Sequence, residues 1–303
     1  MDRPLELLYP VTTLDDQELL PAGTLLTTDA MDRLIRSAQN HRSATLPLLA
    51  HGTIAVDLEN ICNNPPYNQI FSDSARKQAV FGHLQRVELV SPLLDIYEYF
   101  KAHDPYTYRH ILTVFALALL LSQDLMDSRR ELAMEVLSAS NHDLGKICVP
   151  MTVLQKPTPL SEPERQQLSH HVAAGYVLLS YYLQDPDHPA AITARDHHER
   201  RDGSGYPRGI KLENKIVEIV GVSDVFDALI TRRPYRARSY DLRTALETLS
   251  QQADRGALSK DIVQALIRLN RKDPSRRDDG RFSEELRGTP PAGNQYKGAL
   301  HKR

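Results

Sequence analysis

Cysteine is scarce in this chain. Cys62 and Cys148 are the only two in 303 residues, so no disulfide framework underlies the fold. An excess of charge of one sign is also missing: 37 Lys and Arg stand against 39 Asp and Glu, a formal net charge of -2. That balance argues against a strongly basic nucleic-acid binder or a polybasic membrane-surface protein. Long apolar runs are absent as well. The longest, Ile111 to Leu121, is interrupted by Thr113 and is too short to span a bilayer. The opening Met1-Asp2-Arg3-Pro4 leads into no apolar core of signal-peptide type. Together these absences point to a reducing, soluble compartment, the cytoplasm, with no membrane span and no nucleic-acid polymer as partner. What remains is ordinary for a globular protein: 41% hydrophobic and 25% charged residues, in a length that suits one large domain or two modest ones.

The first part of the chain has a mixed texture. Leu5–Tyr9 and Thr24–Leu26 read as short strands broken by Pro10, Pro21 and Gly23. Thr28 precedes Met31, Leu34 and Ile35 at the spacing of a short capped helix. Residues 45–75, with Pro47, Gly52, Pro65 and Pro66, read as irregular with room for one strand or short helix. From Val87 the periodicity turns helical, through Leu89, Leu93, Leu94, Ile96, Tyr97 and Phe100. Residues 111–125 are apolar around most of a helix, as in the centre of a bundle, and 129–139 continue the pattern. Further helices are expected from Pro163 through Leu179, over 216–230, over 242–249 and over 262–269. The polar stretch from Arg271 to Arg303 reads as a poorly ordered tail. The expectation is a mainly α protein with three parts. Residues 1–90 would form a small α+β regulatory or partner domain, 91–270 a helical bundle, and 271–303 the tail.

The conspicuous presence is histidine. There are 12, and eight of them fall between His103 and His198. Several sit beside carboxylates: His142-Asp143-Leu144-Gly145-Lys146; His197-His198-Glu199, followed by Asp202-Gly203-Ser204-Gly205-Tyr206-Pro207; and Asp224-Val225-Phe226-Asp227, followed by Arg233-Pro234-Tyr235-Arg236. Imidazole with carboxylate suits Fe, Mn, Zn or similar divalent ions, and no cysteine is placed for a thiolate zinc site. A bridging carboxylate can hold two such ions on the order of 3.5–4 Å apart and direct their charge at a phosphoryl group. Lys or Arg nearby would complement the phosphate.

With His103-Asp104-Pro105-Tyr106-Thr107 and His110 before them, and His171-Val172-Ala173-Ala174-Gly175 between, these blocks resemble the HD-GYP family of HD-domain metal-dependent phosphohydrolases. The resemblance runs from His103 to Arg236. It implies an HD-domain helical bundle and two divalent transition metals, Fe or Mn favoured, with Zn, Ni and Co as other occupants. His110, His142, Asp143 and Asp224 would hold one metal; Asp143 again, with His171, His197 and His198, would hold the other. Some members carry a third metal on a glutamate one turn before the first histidine. Tyr106 stands at that position here, which implies two metals. Lys146 is implied near the substrate phosphate and joins His142 and Asp143 as a catalytic residue. Arg233, Arg236 and Tyr206 of the Gly-Tyr-Pro loop are implied in substrate binding.

The implied activity is hydrolysis of the 3′-5′ phosphodiester of cyclic di-GMP to linear pGpG, and in many members onward to GMP, by a hydroxide bridging the two metals. Implied partners are cyclic di-GMP itself, a GGDEF-type diguanylate cyclase docked on the Gly-Tyr-Pro loop, and a second copy in a homodimer. Two alternatives stand beside this: a cyclic di-GMP receptor that scarcely hydrolyses, and an HD phosphohydrolase for another cyclic dinucleotide. Where the family has a Gly-x-x-Phe-Asp-Pro block, this chain has Asp254-Arg255-Gly256-Ala257-Leu258. The segment from Pro207 to Asp224 also runs slightly short. Both departures bear on the pocket rim rather than on the metals. Outside the blocks, His41, His51, His83, His188 and His301 read as ordinary surface or core histidines, and His170 as facing away from His171. His103 reads as a helix cap, Glu199 as a partner orienting a histidine, Asp227 as helix-stabilising or Arg-pairing, and Asp202-Gly203 as a turn.

Overall fold

A computed structural model describes residues 4–38, 43–126, 141–232, 238–271 and 286–291. The helical stretch expected over 129–139, Arg233, Arg236 and most of the tail lie outside the described residues. The fold is mainly α, an HD-domain helical bundle with a small α+β region at its N-terminal side.

The N-terminal strands are short. β1 (Val11–Thr12) pairs antiparallel with β2 (Glu18–Leu20), and an isolated bridge joins Glu6 to Leu25 where two strands were expected. β3 (Thr45–Pro47) pairs antiparallel with β4 (Glu88–Val90), in the register Thr45 to Val90 and Pro47 to Glu88. Helix α1 (Thr28–Ala38) starts one residue earlier than expected, because Thr27 Oγ1 rather than Thr28 accepts the Ala30 amide. The segment expected to be irregular holds α2 (Ile54–Asn63), and α3 (Ser74–Leu84) follows. Pro47 closes β3 ahead of α2, and Pro65 and Pro66 follow it, so none falls inside the helix.

The bundle begins with α4 (Ser91–His103) and α5 (Pro105–Leu125). Asp104 separates them and caps α5: its two carboxylate oxygens accept from the Thr107 amide and hydroxyl at 3.3 and 2.6 Å. Every residue of α5 from His110 to Ser122 is buried, so this helix is the axis on which the others pack. After a 3-10 segment (Leu144–Cys148) come α6 (Met151–Leu154), α7 (Glu162–Ser169) and α8 (His171–Leu183). The expected helix from Pro163 to Leu179 is therefore two helices meeting at His170, the first started by a Ser161–Glu164 capping box. Then follow α9 (Pro189–Asp196), α10 (Lys215–Ile230), α11 (Leu242–Asp254) and α12 (Lys260–Leu269).

Helix α5 lies against α4, α10 and α12, and α8 against α9 and the 3-10 segment. The N-terminal helices share this core: α1 packs on α8, and α2 and α3 on α5. One continuous set of buried side chains runs from Leu7 and Val11 through Leu34, Leu58 and Tyr67 to Phe115, Phe226 and Leu266. Near the C-terminus, the amides of Arg287 and Gly288 donate to the Glu247 carboxylate, which places residues 286–291 beside α11.

Candidate metal centre

Five helix ends and turns deliver the site. The Asp104 cap sets the start of α5, so His110 comes one and a half turns along on its buried face. Asn141, His142 and Asp143 form the turn that enters the 3-10 segment, and all three are buried. His171 opens α8, His197 caps the end of α9, and His198 follows it. On α10, whose start Asn214 caps through the Ile216 and Val217 amides, Asp224 and Asp227 are three residues apart and face the same way.

Two clusters result. One ligand atom from each of His110, His142 and Asp224 lies within 4.8 Å of the others, and the same holds for His171, His197 and His198. Asp143 stands between them. Its Oδ2 is 3.3 Å from His110 Nε2 and 3.6 Å from His142 Nε2. Its Oδ1 is 3.4 Å from His171 Nε2 and 3.9 Å from His197 Nε2. One carboxylate thus turns one oxygen to each cluster. His110 Nε2 also lies 3.1 Å from Asp224 Oδ1, and His198 Nδ1 lies 3.7 Å from Asp224 Oδ2. The seven residues singled out as ligands are brought together in two groups with Asp143 shared.

The chemistry of this donor set fits divalent cations. His171 Nδ1 faces the Leu168 carbonyl at 2.6 Å, and His197 Nδ1 faces those of Thr193 and Ala194 at 3.1 and 3.0 Å. Each Nδ1 therefore carries the proton, and each Nε2 turns a lone pair inward. The two Nε2 atoms are 3.4 Å apart. Two lone pairs at that separation repel unless a cation lies between them. Asp224 Oδ2 is likewise buried and accepts no hydrogen bond.

Burial holds His171 and His197 neutral, with pKa values pushed down to about 3 and about 4, and His198 is also held well below the usual imidazole range. Burial would raise the Asp143 carboxyl, but Lys146, His142 and the His110 hydrogen bond outweigh it and keep it ionised. Asp224 is ionised on the same balance, burial opposed by His110 and His198. His110 runs the other way. Burial lowers its pKa, yet bonds to Asp143, Asp224 and Asp227 lift it well above the ordinary imidazole value.

The residues behind the ligands differ from expectation. Asp227, read as helix-stabilising or Arg-pairing, instead places Oδ2 2.5 Å from His110 Nδ1 and fixes that ring from behind. Its other oxygen accepts from Thr231 Oγ1 at 2.9 Å and from the Tyr67 hydroxyl. Burial, and then the Asp227 charge, keep the Tyr67 phenol well above its usual range, so it is the donor. Glu199, read as orienting a histidine, instead accepts the backbone amides of Arg208, Gly209 and Ile210 at 2.7, 3.2 and 3.2 Å. It holds the loop after Tyr206-Pro207. Tyr206 lies flat on the His198 ring, centroids 4.6 Å apart.

Asp202 and Gly203 do form a turn, with Asp202 Oδ1 accepting from Ser204 and Gly203 at φ 78°. His170 faces away from His171, edge-on to Tyr9. His188 is a helix cap, its Nδ1 accepting the Ala190 amide. His103 ends α4 and contacts the Tyr99 ring. Lys146 reaches Asp143 Oδ2 at 2.5 Å with its ammonium partly exposed. The Tyr106 ring stacks near-parallel over His110, centroids 6.0 Å apart.

The sequence matches the HD domain family over residues 75–259. The chain belongs to that family. Among curated relatives, it is 41% identical over 152 residues to the cyclic di-GMP phosphodiesterase response regulator RpfG of Xanthomonas campestris, covering 49% of this chain and 39% of that protein. It is 35% identical over 137 residues to a cyclic di-GMP phosphodiesterase of Thermotoga maritima, covering 45% and 37%. A 3′3′-cGAMP-specific phosphodiesterase of Vibrio cholerae is 36% identical over 138 residues, covering 45% and 30%. The matched segment thus spans less than half the length of each relative. These likenesses agree with the HD-GYP blocks.

Proposed function

We propose that this chain is a metal-dependent phosphodiesterase that hydrolyses cyclic di-GMP. The observation that carries the reading is Asp143, with one carboxylate oxygen turned to each of two buried ligand clusters. In this reading His110, His142, Asp143 and Asp224 hold one divalent cation, and Asp143, His171, His197 and His198 hold the other. The family resemblance favours iron or manganese, and a donor set of nitrogen and oxygen suits such divalent ions. Bound there, the two cations supply Lewis-acid charge for attack of water on phosphorus.

The side chains do the rest. Asp227 and the backbone carbonyls behind His171 and His197 hold the imidazoles in the tautomer a ligand needs. Lys146, paired with Asp143, would meet the substrate phosphate. Tyr206 packs against His198 at the mouth and presents its ring to the dinucleotide. Arg233 and Arg236 are proposed as further phosphate contacts. The net reaction adds one water across a P–O3′ bond: the new P–O bond forms, and the 3′ oxygen leaves with a proton. The relatives' names support cyclic di-GMP as the substrate, and the cGAMP-specific relative supports a second reading in which a hybrid cyclic dinucleotide is taken instead.

A docked GGDEF-type cyclase and a homodimer belong to the same proposal as partners. So does a cytoplasmic setting; no described helix is long and apolar enough to cross a membrane. The test is incubation of protein purified without oxygen and loaded with Mn²⁺ or Fe²⁺ with cyclic di-GMP and, separately, 3′3′-cGAMP, followed by chromatography. Linear pGpG from cyclic di-GMP, lost in His142→Ala and Asp143→Ala, supports the proposal. Binding without turnover makes the protein a receptor, and turnover of cGAMP alone makes it the second enzyme.

A further inference from the structure

Tyr67 precedes residue 75, where the match to the HD domain family begins, yet its hydroxyl ends inside the bundle. The residue is fully buried, in the turn between α2 and α3, with its amide on the Asn64 carbonyl. Its ring lies under the Arg109 guanidinium, 5.9 Å from the centroid, next in sequence to His110. Its hydroxyl donates to Asp227 Oδ1 and lies 3.4 Å from Thr231 Oγ1. Asp227 Oδ2 in turn holds His110 Nδ1 at 2.5 Å, and His110 Nε2 points at Asp143 and Asp224.

The geometry points to Tyr67 as a positioning residue through which the N-terminal segment sets the metal affinity of the His110 cluster. The inference rests on the two-metal reading of the site. A carboxylate supporting an imidazole has to keep its plane, because the hydrogen bond weakens steeply as it bends. Thr231 lies one turn from Asp227 on the same stretch of chain, so its bond moves with Asp227 and cannot fix it against the rest of the protein. Tyr67 reaches Asp227 from 160 positions earlier. It ties the carboxylate, and through it the ligand, to the packing of α2. Among the described residues, the Nδ1 atoms of His171 and His197 face backbone carbonyls close by in sequence, of Leu168 and of Thr193 and Ala194. Loss of the Tyr67 hydroxyl would therefore act on the His110 cluster, while His171 and His197 keep their partners.

The experiment is a Mn²⁺ titration of the metal-free full chain, with a competing chelator, for wild type, Tyr67→Phe, Asp227→Asn and the double variant. Phenylalanine keeps the ring and its packing, and thermal unfolding of the metal-free protein verifies that. Wild type should show two sites. Tyr67→Phe should weaken one of them by about tenfold and leave the other within about twofold, in the range found for groups that orient a ligand. The double variant should bind no more weakly than Asp227→Asn alone, because Tyr67 acts through that carboxylate. Unchanged affinities in Tyr67→Phe, equal weakening of both sites, or losses that add in the double variant would each overturn the inference. A wild type that binds no Mn²⁺ refutes the two-metal reading instead, and so separates the two failures.

Discussion

Glu199→Gln tests the structure where it departs most sharply from the sequence. The carboxylate accepts three backbone amides, Arg208 and Gly209 on one oxygen and Ile210 on the other. A glutamine has one acceptor. Turned to keep Arg208 and Gly209, it sets its own NH₂ against the Ile210 amide. One bond to a charged acceptor, worth about 1.5–3 kcal/mol, is lost, and a buried donor is stranded at a further cost of about 1–3 kcal/mol. The loop from Tyr206 to Ile210 should therefore be destabilised by about 2.5–6 kcal/mol, most of it local. Amide hydrogen exchange reads this directly, since roughly 1.4 kcal/mol is a factor of ten in the opening equilibrium. Exchange of residues 208–210 should quicken by about 30-fold or more, while α5 and α10 keep their protection. Unchanged exchange there, together with weakened metal binding, would refute the reasoning and return Glu199 to a role behind a histidine.

Three further outcomes are expected. A Cβ on Gly145 would lie 2.0 Å from the His171 carbonyl oxygen and 2.3 Å from the Gly175 amide. Gly145→Ala must push the 3-10 segment off α8, separating Asp143 from His171, and should cost several kcal/mol in urea unfolding and loosen both metals. The metal-free protein should lose stability on acidification: burial holds His170, His171 and His197 at about 4, 3 and 4, whereas the unfolded chain takes up their protons near pH 6.5. The loss therefore runs from about pH 6.5 down to about 3. His110, with its raised pKa, changes its contribution only above that window, adding stability as pH falls toward about 6.5 and staying level below it. A flat thermal-unfolding profile over that window would contradict the assignment. Chelation of the metals should lower stability by about 2.7 kcal/mol per site relative to protein held at a hundredfold excess over Kd, read as a metal-dependent Tm.

Much of the bundle was legible because burial leaves a periodic trace. The apolar circumference of residues 111–121 and the run 216–230 coincide with the two helices that pack face to face at the centre. The ligand blocks were legible for a different reason: resemblance supplied the grouping that spacing alone leaves open, and the structure places those side chains in two clusters. The pieces that escaped are those defined by distant contacts. Nothing near Tyr67 in the sequence signals a bond to Asp227, and the adjacency of Glu199 to His198 suggests a partner that backbone direction denies it. The break at His170 carries no proline or glycine, so the helix appeared continuous. The spacing does carry a signal for Asp227: it lies one turn from Asp224, on the face a ligand must occupy.

In the proposed centre one carboxylate, Asp143, joins two metal sites. Elemental analysis of protein purified without oxygen tests it most directly, for wild type, His171→Ala and Asp143→Ala side by side. Wild type should hold two transition-metal ions per chain and His171→Ala a single ion, while Asp143→Ala should lose metal from both sites. A wild type holding one ion or none, or an Asp143→Ala protein that keeps both, would contradict it.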